Sequence, residues 1–269
     1  GPSADDEAFR KGRRELFNSA GFMEVMKEVV WKMDRFGPKE LPSLLFVLRS
    51  MGWHDRQLFK LAETQVVQHL PSMSLREVPD LVTSYVEVQC GSRNLFDEFA
   101  RLCTQSVSQF DDGALAQLVA TFSRGPHKPK AFLLDVGADV VQALPSFGVQ
   151  QLASVAVAYA RWPRDVPAEL AAGVAQLMCE SEGVLARRMA PAQLICVLRA
   201  LTLWKTRSRG QQTFDAGDMR RVFEFAEGAL LDNAGRLTPD ESATALWAVA
   251  KVAVVDIATF RALHANVAR

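Results

Sequence analysis

One pattern recurs along most of this 269-residue chain at a period near 37 residues. From Leu48 it returns at Tyr85, Phe122 and Tyr159, and after longer steps at Leu201 and Val249. Other slots move with this anchor. Seven residues before it stand Leu41, Val78, Leu115, Leu152 and Leu194. Four before it stand Leu44, Leu81, Leu118, Val155, Val197 and Ala245, and three before it Leu45, Val82, Val119, Ala156, Leu198 and Leu246. Offsets of this kind trace one apolar stripe of an α-helix. Eleven residues past the anchor, Phe59, Phe96, Leu133, Leu170 and Phe260 open the stripe of a second helix. Alternation at period two is not sustained anywhere, so strands are not expected.

A period of this length marks stacked helical hairpins. One hairpin cannot bury its own stripe, and stacked neighbours make the core continuous. The expected fold is therefore all-α: an α-solenoid of about six helix–turn–helix repeats of ~37 residues over 36–269. Residues 1–35 read as a lone N-terminal helix or a capping half-repeat. The longer steps are absorbed by the 181–188 connection and by a loop over 205–217. Pro38, Pro191 and Pro239 share the slot ten residues before the anchor, where a first helical turn tolerates proline. Thr238 followed by Glu241 forms a capping box, and Asp111 and Ser74 suit the same cap position. Gly52, Gly91 and Gly125 fall where each first helix should stop, and the 161–167 stretch with its two prolines makes a further break.

Composition bounds what such a fold does. There are 31 basic and 31 acidic residues, so bulk electrostatic coating of nucleic acid is excluded while a local basic stripe is not. No apolar run is long enough to cross a bilayer. The chain opens on Gly1, Pro2 and Ser3, so it reads as a processed chain or a fragment, with any targeting segment out of view. Cys90, Cys103, Cys179 and Cys196 stand far apart, and the four histidines form no H-E-x-x-H. Close ligand pairs are missing, so no metal site is expected and the thiols read as buried and reduced. There is no phosphate-binding loop, dinucleotide fingerprint or nucleophile elbow. Acidic pairs such as Asp111–Asp112 fall at helix ends, where they are ordinary. The expectation is a non-enzyme without cofactor or small-molecule substrate.

The phrasing of the unit, LP-LLFVLRSMGW-D-QLF-LA between Leu41 and Ala62, resembles the organellar octotricopeptide and heptatricopeptide repeats. It is similar too to the repeat region of FAST-kinase-like and RAP-domain proteins. The resemblance spans Phe36 to Arg269 and is best over Phe36 to Gln105. It implies an organellar RNA-binding α-solenoid in the mitochondrial or plastid matrix. The implied role is a component or assembly factor of a ribonucleoprotein such as the mitoribosome. A protein–protein scaffold subunit of a large organellar complex is the alternative. The chain departs from the family in lacking a RAP-type C-terminal module and in its zero net charge.

Charge locates the candidate RNA contacts. From Gly183 to Phe214 there are six basic residues and no acidic one: Arg187, Arg188, Arg199, Lys205, Arg207 and Arg209. Trp204 stands beside them, and arginine forks with an aromatic face suit phosphates and unpaired bases. Arg124, Lys128 and Lys130 fall at the turn of the third unit, and Arg161 and Arg164 at that of the fourth. Equivalent turns should line one edge as a broken basic stripe. Each of these groups equally suits a helix C-terminus, where cations complement the dipole. The span from Ser74 to Gly183 holds 8 basic and 13 acidic residues, which favours the scaffold alternative. Trp31 and Trp247 read as packing residues. Trp53, Trp162 and Trp204, near the turns, suit either packing or stacking on a base.

Overall fold

The structure is a computed structural model and describes residues 4–127, 130–207, 216–252 and 257–267. Among the described residues every regular element is a helix. The chain divides into two compact units, residues 1–106 with 125–129, and residues 107–124 with 130–269.

The first unit begins with α1 (Ala4–Phe17) and α2 (Ala20–Trp31), so a lone N-terminal helix is not what forms. Ser19 breaks it. Its backbone is extended, and its hydroxyl accepts from the Phe22 N–H at 3.2 Å, an N-cap that starts a new helix. Two hairpins follow: α3 (Glu40–Met51) with α4 (Arg56–His69), and α5 (Val78–Val88) with α6 (Arg93–Gln105). Leu41, Leu45 and Leu48 of α3 and Val78, Leu81, Val82 and Tyr85 of α5 are all buried, which is the stripe the period demanded. The second-helix residues Phe59 and Phe96 are fully enclosed. Gly52 ends α3 in the left-handed region at φ 79°. At α5 that position falls on Gln89 at φ 55°, two residues before Gly91. Ser74 is not a cap, because its carbonyl accepts from Glu77 N–H in a turn ahead of α5. Pro38 likewise lies in the turn before α3 rather than in its first helical turn.

The second unit holds the remaining hairpins. The third pairs α7 (Asp112–Arg124) with a divided second helix, α8 (Lys130–Asp135) and α9 (Gly137–Ala143). The fourth pairs α10 (Val149–Tyr159) with α11 (Ala168–Glu180), and the short α12 (Val184–Arg188) fills the expected connector. The fifth pairs α13 (Pro191–Arg207) with α14 (Ala216–Asn233), and the sixth α15 (Pro239–Val252) with α16 (Ile257–Val267). The first helices α7, α10, α13 and α15 lie side by side in that order. The second helices α9, α11, α14 and α16 form the other row. Between the rows sit Leu118, Phe122, Val155, Tyr159, Val197 and Leu201, each no more than 2% exposed. Thr238 and Glu241 form the capping box of α15, and Asp111 caps α7 through the Ala114 N–H at 2.7 Å.

One expectation fails in the last hairpin. Phe260 is 45% exposed, and α16 turns Thr259, Leu263 and Asn266 inward instead. That inward set keeps helical spacing but starts one residue earlier, so the eleven-residue offset does not carry over this turn.

Candidate nucleic-acid interface

The inward slots of each first helix are fixed by packing, so the outward ones are fixed as well. An outward stripe runs at nine, five and two residues before the anchor and two after it. On α7 these positions are Gly113, Gln117, Ala120 and Arg124, and on α10 Gln150, Ser154 and Val157, with Arg161 in the turn just after it. On α13 they are Ala192, Cys196, Arg199 and Leu203, and on α15 Asp240, Thr244, Trp247 and Lys251. The spacing is that of one helical face. Because the four helices are neighbours, the four stripes form a single surface within the second unit.

That surface is grooved, because many of its residues are small. A cavity of about 330 Å³ is lined by Ala120, Arg124, Gln150, Ala153, Ser154 and Gln193, among others. A second, of about 440 Å³, shares Val157 and Cys196 with the first and adds Arg161, Arg199 and Arg207. A third, of about 560 Å³, shares Arg199, Leu203 and Arg207 and adds Asp240, Thr244 and Trp247. The shared walls make one continuous depression across α7, α10, α13 and α15. Asp240 is the one acidic residue among those walls. Arg124, Arg161, Arg199 and Arg207 are exposed. Among the described residues none of the four forms an ion pair. Four guanidinium groups over a small-residue floor suit a chain of phosphates, since each fork donates to two oxygens.

The remaining sequence candidates scatter. Lys130 lies at the start of α8 and is paired with Asp165, Nζ to Oδ2 2.9 Å, so its charge is compensated. That contact brings the turns of the third and fourth hairpins together, where Arg164 is exposed. Arg187 and Arg188 belong to α12 in the connector between α11 and α13, and are not among the groove residues. Lys205 and Arg207 are helical, because α13 runs on to Arg207 where a loop was expected. Lys205 is half-buried and lines a separate small cavity of about 120 Å³ with Thr202, Thr206 and Lys251. Lys128 and Arg209 lie outside the described residues.

The tryptophans exchange roles. Trp204 is 0% exposed and among the largest enclosed side chains, so its ring packs in the core and cannot stack on a base. Trp31, read as a packing residue, is 64% exposed, with the Arg35 guanidinium 4.8 Å from its ring centre. Trp53 packs edge-on against Phe17 and Phe22 at 5.0 Å. Trp247 is half-buried on the groove wall. Gln150 and Ser154 are groove residues the sequence did not single out, and Trp247 is one it read only as packing. Their signal was the outward slot shared by successive repeats.

The cysteine thiols are shifted away from the thiolate form. Burial pushes the Cys103 thiol up to about 12 and, with Glu63 nearby, the Cys90 thiol up to about 11. Burial also raises Cys196 in the groove, which Arg199 opposes. Among the described residues no three His, Cys, Asp or Glu side chains gather as a metal site, and no helix is long and apolar enough to cross a membrane. No protein-family model matches the chain, and no curated protein is similar to it in sequence.

Proposed function

We propose that this chain is an RNA-binding helical-repeat protein whose hairpins stack as an α-solenoid. Its RNA lies across the first helices of the second unit. The observation that carries the reading is the set of Arg124, Arg161, Arg199 and Arg207 around one groove, exposed and without ion pairs among the described residues. The repeat phrasing supports an organellar setting, in the mitochondrial or plastid matrix. The role is non-catalytic: a component or assembly factor of a ribonucleoprotein such as the mitoribosome.

The test is a salt titration against labelled single-stranded RNA, with duplex RNA alongside. Wild type should bind with micromolar or tighter affinity, weakening steeply as salt rises. Changing Arg161, Arg199 and Arg207 together to Ala should flatten the log–log salt slope by about two, given ~0.7 per phosphate on a single strand. An unchanged slope removes the groove from the reading.

One observation favours the scaffold alternative. On α2, Met23, Val30 and Trp31 are exposed on one side of the helix, and an apolar group of this kind is typical of a protein contact. A chain that binds no RNA even at low salt and captures a protein through α2 would be that scaffold.

A further inference from the structure

The groove has two chemically different ends, and the difference assigns them different parts of a nucleotide. Arg161, Arg199 and Arg207 surround the part walled by the C-terminal halves of α10 and α13. Gln150 and Gln193 stand at the other end, beside Ser154 in the cavity of about 330 Å³. The Gln193 side-chain carbonyl accepts from the Ala190 N–H at 2.9 Å, which caps α13. Its amide nitrogen then donates to the carbonyl oxygen of Gln150. That bond turns the Gln150 oxygen toward Gln193. The Gln150 –NH₂, which has no further partner among the described residues, is left for the groove. An amide nitrogen carries two donors and no acceptor. Gln150 is exposed, and small side chains such as Ala120, Ala153 and Ser154 leave room for a flat ring beside it.

We infer that the Gln150–Gln193 pair is a base-selecting element, which favours a keto base over an amino base at the nucleotide seated over α10, in the cavity shared by α7, α10 and α13. A donor edge meets the O4 of uracil or the O6 of guanine. It meets a donor instead at the exocyclic amines of cytosine and adenine. Phosphate contacts fix position without reading sequence, and that role falls to the arginines. This inference rests on the RNA reading above, and its experiment separates the two.

Binding of labelled U8 and C8 would be compared for wild type, Gln150→Ala, Gln150→Glu and the triple arginine variant, each across a salt series. Wild type should prefer U8 by about five-fold or more, the lower end for a good base contact. Gln150→Ala should bring the ratio near one with the salt slope unchanged. Gln150→Glu, which presents acceptors in place of donors, should turn the preference toward C8. Equal binding of U8 and C8 by wild type overturns the inference, as does a ratio that survives both Gln150 variants. Either result leaves the RNA reading standing if the triple variant still loses its salt slope. If the triple variant binds like wild type, the groove reading itself falls.

Discussion

In the first unit the slots that match the outward stripe hold Lys39 just before α3 with Ser43, Phe46 and Ser50 on it, and Arg76 ahead of α5 with Asp80, the buried Thr83 and Glu87 on it. In the second unit the matching slots include Arg124, Arg161, Arg199 and Lys251, with Asp240 as the only acid. The scaffold is the same in both, since the same inward slots are buried. The fate of the arginines differs. Arg49 of α3 is held on two sides: its Nη1 lies 3.4 Å from the Glu87 carboxylate, and its guanidinium sits 5.0 Å from the Phe46 ring centre. Its side chain is only 14% exposed. The groove arginines have no such partner among the described residues. A repeat thus fixes where a side chain points, and neighbouring residues decide whether its charge is available.

The sharpest contrast in stability lies between two tryptophans, one in each unit. Trp204→Ala should cost about 3–5 kcal/mol, the range for emptying an enclosed aromatic site. Trp31→Ala removes a largely exposed ring and should stay within about 0.5 kcal/mol. Chemical denaturation of the two variants measures both. A Trp204 variant with near-wild-type stability would mean that its ring does not fill the core of the second unit.

The contrast in charge predicts a smaller separation, read in affinity. Replacing Arg161, Arg199 and Arg207 by Ala should weaken single-stranded RNA binding by about 100-fold, if each lost charged contact is worth roughly 1 kcal/mol after partial compensation. Arg49→Ala should change that affinity less than about two-fold, because its guanidinium is already engaged by Glu87 and Phe46. Equal losses in the two variants would erase the distinction between the units and spread the RNA contact over both.

The layout was legible where packing dictates sequence. The inward slots read as Leu, Val, Tyr and Phe because each must fill the space between two rows of helices. The capping box at Thr238 was legible because it is local and needs only its own backbone. The groove was partly legible. Arg124, Arg161, Arg199 and Arg207 were chosen for their charge; the first three share the outward stripe, Arg161 in the turn after α10 as expected, while Arg207 lies at the end of α13, four residues past the stripe. That stripe is weak in the sequence because its other members, such as Ala120 and Val157, are small and uncharged. Trp204 misled because α13 continues past the expected end of the first helix, which brings that ring inside. Lys130 misled because its partner, Asp165, belongs to the next hairpin, and no local pattern shows such a pairing.

The smallest effect tests what the two units share. Tyr85 and Tyr159 occupy the anchor slot two repeats apart, and each donates its hydroxyl to a carbonyl of the preceding hairpin. Tyr85 Oη reaches the Phe59 carbonyl at 3.1 Å, and Tyr159 Oη the Leu133 carbonyl at 2.6 Å. Phe59 and Leu133 are themselves equivalent, each eleven residues past its own anchor. Burial raises both phenols well above the ordinary tyrosine range, so each remains a donor at any physiological pH. Each bond therefore ties one hairpin to the next by the same geometry, once in each unit. Tyr85→Phe and Tyr159→Phe keep the ring and remove only the hydroxyl, so each should cost about 0.5–1.5 kcal/mol. Phe122 shows that the slot tolerates a ring without a hydroxyl, since it is fully enclosed at the same anchor position. Similar losses in the two variants, measured by urea denaturation, would mark the bond as a property of the repeat. A loss at Tyr159 alone would make it a feature of the second unit.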